Sequence, residues 1–129
     1  PQALQVAVAA AQAVERLGMP EAQIPLAQAV TYVASAPKSN AAYMAIAEAM
    51  EAVKNTKTTV PVHLQDAHYK GASKMGHGAG YKYAHDYPNH YVEQQYMPSE
   101  LQGRVFYNPT ENGYEQNIRD YFKKIKENS

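Results

Sequence analysis

The chain has 129 residues, long enough for one domain with a real core, and its 45% hydrophobic and 19% charged content is ordinary for a globular protein. Twelve basic residues balance twelve acidic ones, so the molecule as a whole is no polyanion binder, and any nucleic-acid contact must come from a local patch. The lack of cysteine excludes a disulfide framework, thiolate metal ligation and thiol catalysis, and suits a cytoplasmic location.

No run of apolar residues is long enough for a membrane-spanning helix. Pro1-Gln2-Ala3-Leu4 has neither the basic start nor the apolar core of a signal peptide. The chain opens without Met inside an alanine-rich helical pattern, which reads as a fragment of something longer.

Residues 1–54 are alanine-rich and predict three helices. The first runs from about Gln2 to Leu17, with Gly18 as its left-handed stop. Pro20-Glu21 opens the second, which because of Pro25 starts loosely or restarts near Ile24, and its apolar face is Leu26, Ala29, Val30, Val33 and Ala34. Pro37 ends it and Ser39 or Asn40 caps the third, whose stripe is Tyr43, Ile46, Ala47, Met50 and Val53. Alanines flanking these stripes let helix axes approach closely, and each stripe suits either an internal core or a subunit contact.

The texture changes after residue 55. Thr56–Leu64 is a β-branched connector, and Asp66 is placed to cap a short helix through about Met75, ended by Gly76. Nine of the eleven tyrosines and all five histidines lie beyond Thr56. The stretch 76–104 is too aromatic to be disordered, and predicts an ordered irregular segment. Pro109-Thr110 then begins a terminal amphipathic helix, spanning 111–127, with Tyr114, Ile118, Tyr121, Phe122 and Ile125 on one face. Glu115/Arg119 and Asp120/Lys124 are set as i, i+4 pairs on its wet side. The organisation expected is a single assembly domain over 1–129, with helices to 54, connector and irregular segment over 55–110, and the last helix. No internal repeat is present.

Catalytic constellations are missing from the pattern. The glycine run Gly76-His77-Gly78-Ala79-Gly80 is followed by Tyr81 and Lys82 rather than a lysine and Ser or Thr at a helix start, so it is no phosphate-binding loop. His63 and His68 are five apart, as are His85 and His90. That spacing is wrong for a helical ligand pair, and no metal site is expected. Glu48 and Glu51 lie among alanine and methionine, a solvated face rather than an acid/base pair. Arg119, Lys123, Lys124 and Lys126 likewise read as a wet helix side. Neither catalytic, cofactor-binding nor metal residues are assigned.

One charged region is different. Lys70, Lys74 and Lys82 fall between Asp66 and His85 with three histidines and one acid, and Tyr69, Tyr81 and Tyr83 are interleaved with them. Cations among aromatics suit single-stranded DNA, phosphates meeting lysine and bases stacking on rings. The candidate DNA-contacting residues are therefore Lys70, Lys74, Tyr81, Lys82 and Tyr83, with Lys70 and Lys74 on one helix face.

Particular strings go further than composition. Gly18-Met19-Pro20-Glu21-Ala22, Ile24-Pro25-Leu26-Ala27-Gln28-Ala29 and Ala36-Pro37-Lys38-Ser39-Asn40-Ala41-Ala42-Tyr43 resemble the post-ATPase region of the replication-associated recombination protein A family. This is a bacterial AAA+ family related to clamp loaders and to Werner-helicase-interacting protein. Val60-Pro61-Val62-His63-Leu64, Gly80-Tyr81-Lys82-Tyr83, His85-Asp86-Tyr87-Pro88 and Gln94-Gln95-Tyr96-Met97-Pro98 are similar to its C-terminal signature, which Tyr107, Pro109-Thr110 and Gly113 with Glu115 continue. Ala84 departs from the pattern, where proline is common.

The resemblance implies an all-α bundle like the oligomerisation collar of clamp loaders, with the irregular Tyr/Gly/Pro-rich segment attached. It implies a non-catalytic oligomerisation domain, a tetramer by family, of a DNA-dependent ATPase acting in DNA replication, repair and recombination at the fork. ATP and magnesium belong to the module upstream. DNA and single-stranded DNA-binding protein are partners through the parent, in a cytoplasmic, nucleoid-associated setting. The rival expectation is a single-stranded DNA-binding module using segment 69–83; a stand-alone small enzyme is the third.

Overall fold

A computed structural model of the chain describes residues 1–68 and 70–127. The described residues are all-helical, with α1 (Ala3–Leu17), α2 (Gln23–Ser35), α3 (Ala41–Asn55) and α4 (Glu115–Glu127), and short 3-10 turns between α3 and α4.

Helix α1 stops where expected: Gly18 turns to φ 71° and donates its N–H to the Val14 carbonyl at 2.9 Å. Ala22 then donates back to the Gly18 carbonyl, so the chain reverses in one turn. Pro25 is the third residue of α2, inside the first turn, where its missing N–H breaks no helical bond. The reversal makes an antiparallel hairpin, closed at its far end by the Tyr32 hydroxyl donating to the Gln2 side-chain carbonyl at 3.0 Å. Small side chains fill the hairpin. Ala10, Ala22 and Ala29 are buried, which lets the two axes come close.

The corner between α2 and α3 is tied three ways. The Lys38 ammonium donates to the carbonyls of Val33 at 2.8 Å, Ala34 at 3.1 Å and Ala36, capping the negative end of α2. The Ser39 hydroxyl accepts the Ala41 N–H at 3.1 Å and starts α3. From the far end of the chain, the Asn112 side chain donates to the Lys38 carbonyl at 3.0 Å.

That last bond belongs to the approach of α4, which begins later than the sequence pattern indicates. Gly113 stands at φ 55°, and a Cβ there would meet Pro37 at 2.9 Å, so residues 111–114 form a turn and helix starts only at Glu115. The expected Glu115/Arg119 pair does not form. Arg119 reaches Glu111 at 2.9 Å, because Glu115 is occupied by Thr110, whose N–H and hydroxyl donate to it at 2.8 and 2.7 Å. Asp120 accepts from Gln116 at 2.9 Å.

The short helix expected from Asp66 to Met75 is a second correction. Gly71 at φ 103° interrupts it, leaving a 3-10 turn over Ala72–Met75. Asp66 instead accepts the His68 N–H at 2.9 Å in a local turn. The expectation that 76–104 is ordered but irregular holds. Val92 and Leu101 are buried anchors, Gly78 donates to the Val62 carbonyl at 2.9 Å, and a Cβ on Gly78 would strike Ala67 at 2.8 Å.

What the chain buries is small. Among the described residues the buried hydrophobic ones are six alanines with Val92 and Leu101, and no large side chain is fully enclosed. Accessible area is 10144 Å². A compact monomer of this mass exposes about 6,800 Å², so roughly 3,300 Å² is surplus.

Candidate functional site

Two surfaces stand out, one apolar and one polar. The apolar one is the outer side of α3. At 100° per residue, Tyr43, Ile46, Met50 and Val53 fall within an arc of roughly 80°. Their exposures are 69%, 58%, 52% and 56%. The buried Ala41 and Ala52 lie on the other side of the helix, centred roughly 150° away. The helix is thus inverted, with small residues in and large apolar residues out. Leu4 on α1 and Ile24 and Val30 on α2 are also turned out. Isolated exposed apolar residues are normal, whereas these four share one face of a single helix.

The polar surface is built around His63. The His63 Nε2 lies 2.7 Å from the Gln95 carbonyl, which can only accept, so Nε2 carries the proton. His63 borders a cleft of about 570 Å³ that includes Lys82, Glu93 and Gln102. It also borders a second, of about 440 Å³, that includes Asp66, His68 and Tyr81. The main chain at Lys82 is held by a side chain rather than a strand: its N–H donates to Gln94 Oε1 at 2.8 Å and its carbonyl accepts from Gln94 Nε2 at 3.2 Å. Gln95 in turn donates to the Met97 carbonyl at 3.0 Å and the Ser99 hydroxyl at 3.2 Å. The adjacent glutamines of the signature string thus do separate jobs, one pinning Lys82 and one shaping the turn that follows.

Of the five candidate DNA-contacting residues, the structure sets Tyr81, Lys82 and Tyr83 consecutively on this pinned segment, all exposed. Lys82 and Tyr81 border different clefts that share His63. Lys70 and Lys74 border neither of these two clefts. They also share no helix face, since Gly71 breaks the helix between them. Tyr69 lies outside the described residues.

Sequence reasoning missed the next step along the chain. Tyr83 and His85 have ring centroids 5.1 Å apart, and His85 and His90 5.0 Å apart, so the three rings form a row. The five-residue His85–His90 spacing was the visible signal, and it brings the two rings into contact. Among the described residues no group of three or more His, Cys, Asp or Glu is placed to hold a metal ion.

A third cluster is structural. Glu115 accepts from Thr110 twice and from the Tyr107 hydroxyl at 3.2 Å, and Ser39 also hydrogen-bonds to it. Thr110's hydroxyl and then its N–H are the main reasons its carboxyl is held down to about 2. Partial desolvation, then the Glu115 carboxylate, push the Tyr107 hydroxyl up. The hub joins the α2–α3 corner to the start of α4. Asp66 is also lowered, first by the His68 N–H and then by the His68 ring 3.0 Å away.

These features define an all-helical domain whose surface is dressed with apolar and aromatic side chains, with Asp66 and Glu115 holding local turns. The chain belongs to the family described as MgsA AAA+ ATPase C terminal, whose model matches residues 1–126. It is 46% identical over 127 residues to replication-associated recombination protein A of Bacillus subtilis, covering 97% of this chain and 30% of that protein. With the protein of the same name from Escherichia coli it shares 42% over 120 residues, 92% of this chain and 27% of the relative. An AAA domain-containing protein of Mycobacterium tuberculosis is 50% identical over 127 residues, 98% of this chain and 28% of the relative. The chain therefore spans under a third of the length of these relatives, in the C-terminal part of an AAA+ ATPase rather than its nucleotide-binding module. Among the described residues no helix is long and apolar enough to cross a membrane.

Proposed function

We propose that this chain is the non-catalytic oligomerisation domain of a DNA-dependent AAA+ ATPase that works in replication-fork maintenance and recombination. The observation that carries the reading is the inverted α3. A protomer that buried its best apolar side chains internally would put Ile46 and Met50 where Ala41 and Ala52 are.

The surplus of roughly 3,300 Å² is on the scale that obligate assemblies bury. A second copy of the chain is the occupant that matches it, because the same stripe on both partners is self-complementary about a two-fold axis. Further outward residues on α1 and α2 offer a second contact, which a closed tetramer requires. In this reading ATP and magnesium bind elsewhere in the parent, since the one glycine-rich run lacks the lysine and hydroxyl that would hold them. DNA and single-stranded DNA-binding protein are met through the parent, in the cytoplasm at the nucleoid. The names of the relatives support the replication and recombination setting.

Size-exclusion chromatography with light scattering on the 129-residue chain is the test. A multimer, broken to monomers by Ile46→Glu together with Met50→Glu, is the expected result. A strictly monomeric parent at tens of micromolar overturns the reading.

A further inference from the structure

The approach of α4 to the α2–α3 corner depends on a chemically fragile residue. Asn112 donates its side-chain amide to the Lys38 carbonyl at 3.0 Å, and its main-chain carbonyl accepts the Glu115 N–H at 3.2 Å, which sets the turn into α4. Asparagine is thermolabile because the next main-chain nitrogen can attack its side-chain carbon. Among the asparagines only Asn112 precedes glycine, whose nitrogen no side chain shields. Asn108 precedes Pro109, whose nitrogen has no proton to lose. Asn117 lies inside α4, where the Ile118 N–H is given to the Tyr114 carbonyl at 3.4 Å. The Gly113 N–H, in contrast, has no hydrogen-bond partner among the described residues. Asn112 and Gly113 are exposed, and with Glu115 they line a cleft of about 360 Å³, so water reaches both.

We propose that Asn112 is a site of spontaneous covalent modification, a deamidation that unties α4 from the α2–α3 corner. The Gly113 nitrogen bonds to the Asn112 Cγ, and the side-chain amide leaves as ammonia with the proton that nitrogen gives up, closing a cyclic imide. Water then opens the ring. Breaking the new N–Cγ bond gives aspartate. Breaking the bond from that nitrogen to the Asn112 main-chain carbonyl carbon gives isoaspartate, with the main chain rerouted through Cγ. Aspartate sets an acceptor against the Lys38 carbonyl where a donor stood, and adds a second carboxylate to the cleft that holds Glu115. Isoaspartate removes the side chain that reached Lys38 and lengthens the main chain beside Pro37, where even a Cβ on Gly113 would sit at 2.9 Å. Loss of the Gly113 proton starts the reaction, so it quickens as pH rises. The tie is lost irreversibly with time, and the site is separate from the α3 stripe.

The test incubates the folded 129-residue chain in mildly alkaline heavy-oxygen water and follows it by tryptic mass spectrometry. The peptide 105–119 carries Asn108, Asn112 and Asn117 together, so two controls travel with the site. Label should enter at Asn112, as aspartate and isoaspartate, well ahead of the other two. Labelling of Asn117 as fast as Asn112, or none at Asn112, overturns the proposal. Hydrogen exchange reads the consequence. In Asn112→Asp the α4 amides should exchange about fivefold faster than in fresh parent, the effect of one lost hydrogen bond, and the ageing parent should drift toward that rate. Asn112→Gln keeps an amide donor but must close a larger and slower ring, so its exchange should not drift. Aged parent and Asn112→Asp that both exchange like fresh parent overturn the release of α4, as does an Asn112→Gln chain that drifts with the parent.

Discussion

Replacing Ile46 by alanine separates a subunit contact from a core position, because the two predict opposite behaviour. Ile46 is 58% exposed in the protomer. Full burial of an isoleucine side chain is worth about 1.5–3 kcal/mol, so covering the exposed part at an interface contributes roughly 1 kcal/mol. About a two-fold axis the residue is used twice, once from each partner. Ile46→Ala should therefore cost the contact about 2 kcal/mol, which weakens the dissociation constant roughly 30-fold.

The protomer itself should not suffer. Alanine is the stronger helix former, and the methyls removed were in water. The assay is sedimentation velocity across a hundredfold concentration range, paired with thermal melts at both ends of it. The midpoint of assembly should move to higher concentration. The melting temperature of the dilute variant should match or exceed that of dilute parent, and the parent alone should gain stability with concentration. An unchanged mass distribution with a lower, concentration-independent melting temperature would mean that Ile46 supports the fold of its own chain, and the reasoning from α3 would collapse.

Other consequences are cheaper to examine. Gly113→Ala puts a methyl 2.9 Å from Pro37 at a φ of 55°, and should cost about 1–2 kcal/mol, lowering the melting temperature by several degrees. An unaltered melt would show that α4 does not need that corner. Gln94→Ala frees the Lys82 N–H, and its amide should exchange with deuterium about fivefold faster, the value of one hydrogen bond of ~1 kcal/mol. The Glu115 carboxyl sits at about 2 in the fold against an ordinary 4.5. A depressed carboxyl stabilises above its unfolded value and loses that contribution as pH falls through the folded one. Glu115→Gln should thus be less stable than parent at pH 7, with the gap closing as pH falls from 4.5 toward 2. A gap constant over that range counts against the hub.

The helices of the first half were readable because their punctuation is local. Gly18, Pro20, Pro37 and Ser39 each act on the next few backbone bonds, and the observed boundaries lie within about two residues of expectation. The two misplaced helix starts share one cause. Gly71 and Gly113 adopt positive φ, and in Gly113's case the reason is Pro37, some seventy residues away, which no window of sequence displays. Asp66 and Glu115 were likewise assigned to helix ends or i, i+4 pairs, whereas a turn and a long-range hub claimed them. For the site, Tyr81, Lys82 and Tyr83 were visible as interleaved types. His90's return to His85 was not, because it depends on two left-handed residues that carry no glycine to announce them.

The distribution of small and large apolar residues links these threads. From periodicity alone a stripe of Tyr43, Ile46, Met50 and Val53 is as good a core as an interface, and only burial decides. Alanine takes the inside because two helices joined by a single turn must approach closely, as Gly18 and Ala22 make them do in α1 and α2. Larger side chains are then displaced to the outer faces, where water penalises them until something covers them. A protomer packed on alanine gains little from its own core, so on the oligomer reading proposed above its stability would rest on the copies that cover the outside. On that reading folding and assembly would draw on the same apolar area. Diluting the protein should then lower its melting temperature well before its helices lose their local caps.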